Sequence, residues 1–129
     1  MHIPKNLIIN ADSLTQWFGY WPDFHDFEIV RVEMDRSEPS ITIQVYAFQT
    51  VKESDEKGYF KRAKECLVTL KFNAISEVAL EGFNQQNVLS SLAFEEKDGY
   101  LKTKLSTVYG LSGFIISKNL QILGIESRK

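Results

Sequence analysis

"FEIVRVEMDRSEPSITIQVYAF", residues Phe27 to Phe48, decides how this chain folds. From Phe27 the period is two. Val30, Val32 and Met34 fall on one side, and Arg31, Glu33 and Asp35 on the other. "SEP", Ser37 to Pro39, reads as a turn. Beyond it Ile41, Ile43, Val45 and Ala47 share one face, while Thr42, Gln44, Tyr46 and Phe48 share the other. Alternation of this kind marks a strand with one face in a core, so the two runs predict an antiparallel hairpin. Two aromatics on the second face of the later strand keep that face from being plainly solvated.

Working upstream, a short helix is expected near the start. Ser13 and Gln16 have capping-box spacing, Asp12 is an equally good cap, and Leu14, Trp17 and Phe18 fall on one helical face. Gly19 and the Trp21-Pro22 pair end it, since a residue before proline avoids the helical region.

Downstream, residues 52–58 are charged, close on Gly58, and read as an exposed loop. "CLVTLKF" puts Cys66, Val68, Leu70 and Phe72 on one face. Asn73-Ala74 suits a tight turn into "ISEVALEGF", with Val78 and Leu80 inside. "FNQQN" is a polar corner, "VLSSLAFEE" and "YLKTKLST" are strands, and Lys97-Asp98-Gly99 between them carries the Asp-Gly hairpin signal. Lys118-Asn119 reads as the turn of a last hairpin. The expected fold is mainly β, with α+β as a variant. It is a single antiparallel sheet, a sandwich or an open barrel of seven to eight strands, with one short N-terminal helix. No strand–helix–strand alternation points to a parallel sheet.

The chain has 129 residues, 43% apolar and 25% charged, which fits one globular domain spanning 1–129. A net charge of -2 and a pI near 5.7 argue against nucleic acid as a partner, which calls for a clustered basic surface. No run approaches the roughly 18 apolar residues of a membrane span, and the start lacks signal-peptide features, so a cytoplasmic protein without membrane contact is expected. The single cysteine, Cys66, cannot pair within the chain and sits at an apolar strand position, where it behaves as a small hydrophobe.

Candidate chemistry concentrates in "WPDFHD", Trp21 to Asp26. A zinc site needs three or four ligands, and His2 and His25 are the only histidines, so no metal or other cofactor is expected. No G-x-S-x-G elbow occurs, and Gly110 and Gly113 precede a strand and not a helix, so they do not make a phosphate loop. Glu95-Glu96 and Asp55-Glu56 lie in or beside loops, where a solvated face explains them better than acid–base chemistry; no catalytic residue is assigned. Tyr20 and Trp21, beside a proline and polar residues, are candidates for a surface contact, because a rigid aromatic desolvates well at low entropic cost. In "NQQN", Asn84 to Asn87, turn-making and amide recognition of a partner both fit.

The block Trp21, Pro22, Phe24, His25, Asp26 and the second block Gly82, Phe83, Asn84, Gln86, Asn87, with the spacing between them, resemble the immunity protein 50 family. The likeness runs from about Phe18 to Phe94, with a Tyr109-Gly110 pair further on; Phe27 departs from a pattern that often has a small residue before the glutamate. The resemblance implies a non-enzymatic inhibitor that binds and neutralises a cognate toxin of a bacterial polymorphic-toxin system. Trp21, Pro22, His25, Asp26, Gly82, Phe83, Asn84, Gln86 and Asn87 are then expected to be structural motif residues. The toxin contacts are expected at Tyr20, Trp21, Glu53, Asp55, Glu56, Glu95 and Glu96, where acidic side chains suit a basic surface. His25 and Asp26 are expected to lock the corner by hydrogen bonding. Two other readings stay open. One is a small-ligand- or metal-binding β-domain, enzymatic or not, using His25 and Asp26. The other is a scaffold with Thr42, Gln44, Tyr46 and Phe48 as a homodimer face; a monomer or a weak homodimer is expected.

Overall fold

The computed structural model describes residues 3–54 and 60–128. A 3-10 turn (Lys5–Leu7) leads into β1 (Ile8–Ile9) and α1 (Asp12–Phe18). Then come β2 (Glu28–Asp35), β3 (Ser40–Ser54), β4 (Phe60–Glu81), β5 (Val88–Lys97), β6 (Tyr100–Tyr109) and β7 (Ser112–Ser127). The fold is mainly β, as the alternation requires. One sheet runs β1-β7-β4-β3-β2-β5-β6, and β6 pairs with β7 as well, so six strands form a ring.

The opening hairpin is present: β2 and β3 pair antiparallel from Glu28↔Tyr46 to Asp35↔Ser40. A bulge between Ile29 and Arg31 alters which side chains face inward. Ile29 is buried opposite Val45, Val32 and Met34 sit opposite Ile43 and Ile41, and Val30 is extruded at the bulge, nearly half exposed. The uninterrupted Val30–Val32–Met34 face is therefore corrected. On β3, Ile41, Ile43, Val45 and Ala47 are buried as the pattern demands, and so are Cys66, Val68, Leu70 and Phe72 on β4.

Two expected turns do not form. β4 runs on through Asn73-Ala74, and β7 through Lys118-Asn119. Asn73 and Asn119 face each other across the β4–β7 ladder, and the Asn73 amide Nδ2 donates to Asn119 Oδ1 at 2.9 Å. The turn-like residues thus meet each other inside a long antiparallel pair. A positive φ at Ala74 and a register shift between Ile75 and Glu77 bend the ladder there without ending it. Val78, beyond the bend, is exposed and not inside. Likewise β3 extends to Ser54, so the first part of the loop expected over 52–58 is strand, and 55–58 lie outside the described residues.

Local turn chemistry holds elsewhere. Asp98 and Gly99 both have positive φ between Lys97 and Tyr100, the backbone a two-residue hairpin needs. Gly19 (φ 87°) ends α1 by donating its N–H to Thr15 O. The helix start differs from the expectation: Ala11 takes the cap position without a side-chain bond, and Ser13 Oγ donates to Asn10 O, so no capping box forms. Contrary to an all-antiparallel sheet, β1 pairs parallel with β7 at Leu120 and Gln121. Leu14 and Phe18 bury the inner face of α1 in the ring's core, while the Trp17 indole N–H donates to Lys64 O on β4. Among the described residues no helix is long and apolar enough to cross a membrane.

Candidate functional site

The segment from Tyr20 to Phe27 carries the chain from α1 into β2, and two unusual backbone angles set its shape. Phe24 and Asp26 have φ of 64° and 66°, a region that bulky L residues rarely enter. The twist at Phe24 turns its ring inward against Phe27 (5.5 Å), Phe94 (6.1 Å) and Trp21 (6.0 Å). As a result Asp23, His25 and Asp26 all face outward while Phe24 and Phe27 are buried. Burying two aromatics, each worth roughly 1.5–3 kcal/mol of apolar transfer, offsets the strain.

The corner is held chiefly by backbone and by Asp23. The His25 N–H donates to Asp23 Oδ1 at 2.9 Å, an Asx turn. The Asp26 N–H donates to Leu89 O at 2.8 Å, and the Leu89 N–H donates to Phe27 O at 2.9 Å. His25 Nδ1 and Asp26 Oδ2 lie 3.3 Å apart, but the two side chains are 60% and 53% exposed. Such a pair contributes little to stability.

The second block sits directly behind the first. Gly82 (φ 83°) starts it; a Cβ there would come within 2.6 Å of Gly110 O. Asn84 Oδ1 accepts from the Gln86 N–H at 2.9 Å, and Asn84 Nδ2 donates to Gly82 O at 3.2 Å. Asn87 is 2% exposed. Its Oδ1 accepts from the N–H groups of Asn84 (3.1 Å) and Leu111 (3.0 Å), and its Nδ2 donates to Asn84 O (2.8 Å). Its main-chain oxygen accepts from Ile29 N–H at 2.8 Å. Asn87 therefore joins three segments: its own loop, the start of β2, and the entry to β7. Gly110 (φ 100°) lies so close that a Cβ would be 2.6 Å from Asn87 Cα and Oδ1. Within "NQQN" the two asparagine amides are used on backbone groups of the loop and of Leu111, whereas Gln85, Gln86 and Phe83 are exposed.

These pieces leave an open cleft of about 320 Å³ lined by Tyr20, Trp21, Pro22, Asp23, His25, Asp26, Phe27, Phe48 and Thr50. Tyr20 stands exposed at its rim, bonded by Gln49 Nε2 at 3.4 Å. Trp21 is partly buried against the core, its ring edge-on to Phe94 at 5.9 Å. Of the other expected contacts, Glu95 and Glu96 are exposed on β5 and line a separate cleft of about 660 Å³ with Ile3 to Asn6. Glu53 is described only as backbone of β3, and Asp55 and Glu56 lie outside the described residues. Thr50 and Phe48 are cleft residues that local sequence does not mark, because the β-ladder alone carries them to the corner.

Chemically the cleft offers two exposed carboxylates, an imidazole and a phenol, open to solvent. Among the described residues no group of three or more His, Cys, Asp or Glu is placed to hold a metal ion. Burial, followed by the hydrogen bond to Glu65, raises the Tyr46 pKa. Burial pushes the Cys66 thiol up to about 11, with Trp17 opposing it weakly. On the outer face proposed as a dimer patch, Phe48 is buried against Phe27 (5.4 Å) and beneath Arg62 (4.0 Å), which removes it from any free surface.

The family model described as Immunity protein 50 matches residues 10–127, from two residues before α1 to the end of β7, and so takes in both blocks and the cleft. No curated protein and no solved structure matches the chain.

Proposed function

The chain belongs to the immunity protein 50 family, and from that membership we propose that it is a non-enzymatic immunity protein of the bacterial cytoplasm that binds and neutralises a cognate toxin domain. The match over residues 10–127 is the observation that carries this reading. The corner supports it: Asp23, His25 and Asp26 stand outward with Tyr20 on a cleft of about 320 Å³ that is open and not enclosed, the form of a contact surface. Their side chains are built on a rigid backbone corner, so little ordering is needed on binding. Acidic side chains here and at Glu95 and Glu96 complement a basic toxin surface, where charge raises association rate and specificity.

Co-expression with a candidate toxin domain from a neighbouring gene tests the proposal. Rescued growth and a co-purifying complex are expected. Continued killing with the immunity protein present and folded would reject it.

A further inference from the structure

β2 lacks a second neighbour over most of its length. β5 meets it only at Glu28↔Val88, extended by the Ile29 N–H bond to Asn87, so among the described residues Val30 to Asp35 pair on one side alone. Beside this free edge lies an apolar groove of about 390 Å³ lined by Val32, Met34, Leu80, Phe83 and Leu111, with Glu81. Met34 is 64% exposed and Phe83 56%, high values for large apolar side chains. A free edge next to an apolar groove is a template for one more strand.

The edge is complementary to itself. In an antiparallel pairing of two copies with the two-fold axis at Val32, Arg31 of each copy falls opposite Glu33 of the other. Val32 falls opposite Val32, and the bulge at Val30 ends the regular edge on that side. Over Arg31 to Glu33 the opposite charges and the apolar axis residue are matched, as an isologous contact requires. Shifting the axis to Glu33 sets Glu33 against itself, so the charge pattern selects one register. Arg31 and Glu33, 3.3 Å apart within one strand, are both largely exposed and so free to exchange partners across a seam. The inward side chains of the added strand lie over Leu80, Phe83 and Leu111.

We propose that this protein forms a two-fold dimer through the free edge of β2, with Val32 on the axis and Arg31 paired to Glu33 across the seam. The seam is small, so the dimer is weak and concentration-dependent. It uses a face other than the Tyr20–Asp26 corner and does not depend on what that corner binds.

Two measurements on the full chain test it. Sedimentation equilibrium from about 1 µM to 1 mM, a span chosen to cover weak association, is expected to show the mass rising from 14.8 kDa toward twice that. Glu33→Arg should abolish the rise, and the swapped double variant R31E/E33R should restore it. Under mild oxidation Val32→Cys should form a covalent dimer, because the axis brings the two copies of that residue together. Cys66 is fully buried and does not compete. Leu123→Cys, exposed on β7, serves as the control and should remain monomeric. A monomer throughout with no Val32→Cys cross-link overturns the proposal. So does a dimer indifferent to Glu33→Arg, which would use another face. A free monomer whose Val32→Cys thiol is shielded only by co-expressed toxin overturns it too, and gives the edge to the toxin.

Discussion

The side-chain oxygen of Asn87 accepts the backbone N–H of Leu111 at 3.0 Å, tying the loop before β5 to the entry of β7. The same residue accepts from Ile29 N–H through its main chain. A buried amide with these partners cannot be removed without stranding the N–H groups of Asn84 and Leu111. Asn87→Ala should therefore destabilise the protein by about 2–4 kcal/mol, the cost of unsatisfied buried donors. Asn87→Asp keeps the acceptor but loses the donor to Asn84 O, and should also destabilise. Urea unfolding monitored by tryptophan fluorescence measures both. A change below about 0.5 kcal/mol for Asn87→Ala, the range of ordinary surface substitutions, would show that the clamp does not matter.

At the corner, geometry separates Asp23 from His25. Asp23 caps the turn by accepting the His25 N–H, whereas the His25 imidazole pairs, among the described residues, with exposed Asp26. Asp23→Ala should cost about 1 kcal/mol, as loss of a capping carboxylate does, and His25→Ala less than about 0.5 kcal/mol, as for an exposed ion pair. The expectation that His25 locks the fold thereby passes to Asp23. Thermal melts of the two variants decide; a larger loss for His25→Ala would return the structural role to the imidazole.

Much of this fold is legible in local sequence because local physics sets it. Helix α1, the β2–β3 turn and the Asp98-Gly99 hairpin are each determined by period and turn residues within a few positions. What stays hidden is non-local. Asn73-Ala74 and Lys118-Asn119 have turn composition, yet they lie opposite each other in one ladder and satisfy each other. Ring closure depends on Leu101 to Leu105 meeting Gly113 to Ser117, which no single segment announces. The motif residues of the corner were visible as a cluster. That Phe24 would take a positive φ, face three polar side chains outward and bring Thr50 into the cleft was not, because that follows from packing against Phe94 on β5.

Thr103 is fully buried on β6, opposite Phe94 and Ile115, and its hydroxyl has no hydrogen-bond partner among the described residues. Valine has the same shape without the stranded hydroxyl. Thr103→Val should raise stability by about 1 kcal/mol, within the usual cost of an unpaired buried polar group. Calorimetry would show an increased Tm; a decrease would mean that the hydroxyl is satisfied in solution.

Cys66 gives a pH prediction with a definite sign. Its thiol is fully buried, and burial raises its pKa to about 11. The unfolded thiol ionises near pH 8.5. The folded state therefore favours the neutral thiol, and this contribution to stability is complete below about pH 8.5 and lost as pH rises through 11. The loss amounts to roughly 3 kcal/mol once pH has passed 11. Tyr46, whose pKa is also raised by burial, adds a loss in the same direction at higher pH. Denaturant unfolding at pH 8 and 10.5 should show the drop, and Cys66→Ala should show a smaller one. At pH 8 a thiol reagent should modify Cys66 only at the rate of opening.

The corner and the acidic strand end make separable predictions for toxin binding. Tyr20 is exposed at the cleft rim and its hydroxyl is held by the Gln49 amide, so the ring is pre-positioned for a contact. If it is an anchor, Tyr20→Ala weakens the complex by about 2 kcal/mol or more, mostly through faster dissociation. Glu95 and Glu96 line a separate cleft with Ile3 to Asn6, and their part in binding is expected to be long-range attraction. Reversing Glu95 and Glu96, or Glu53, Asp55 and Glu56, should instead slow association and flatten its salt dependence. Surface plasmon resonance at two ionic strengths distinguishes the cases. Loss of affinity from Tyr20→Ala with unchanged association places the toxin on the corner. Charge reversals that slow association while Tyr20→Ala binds normally place it on the acidic faces, and unchanged kinetics in every variant would remove both surfaces from the interface.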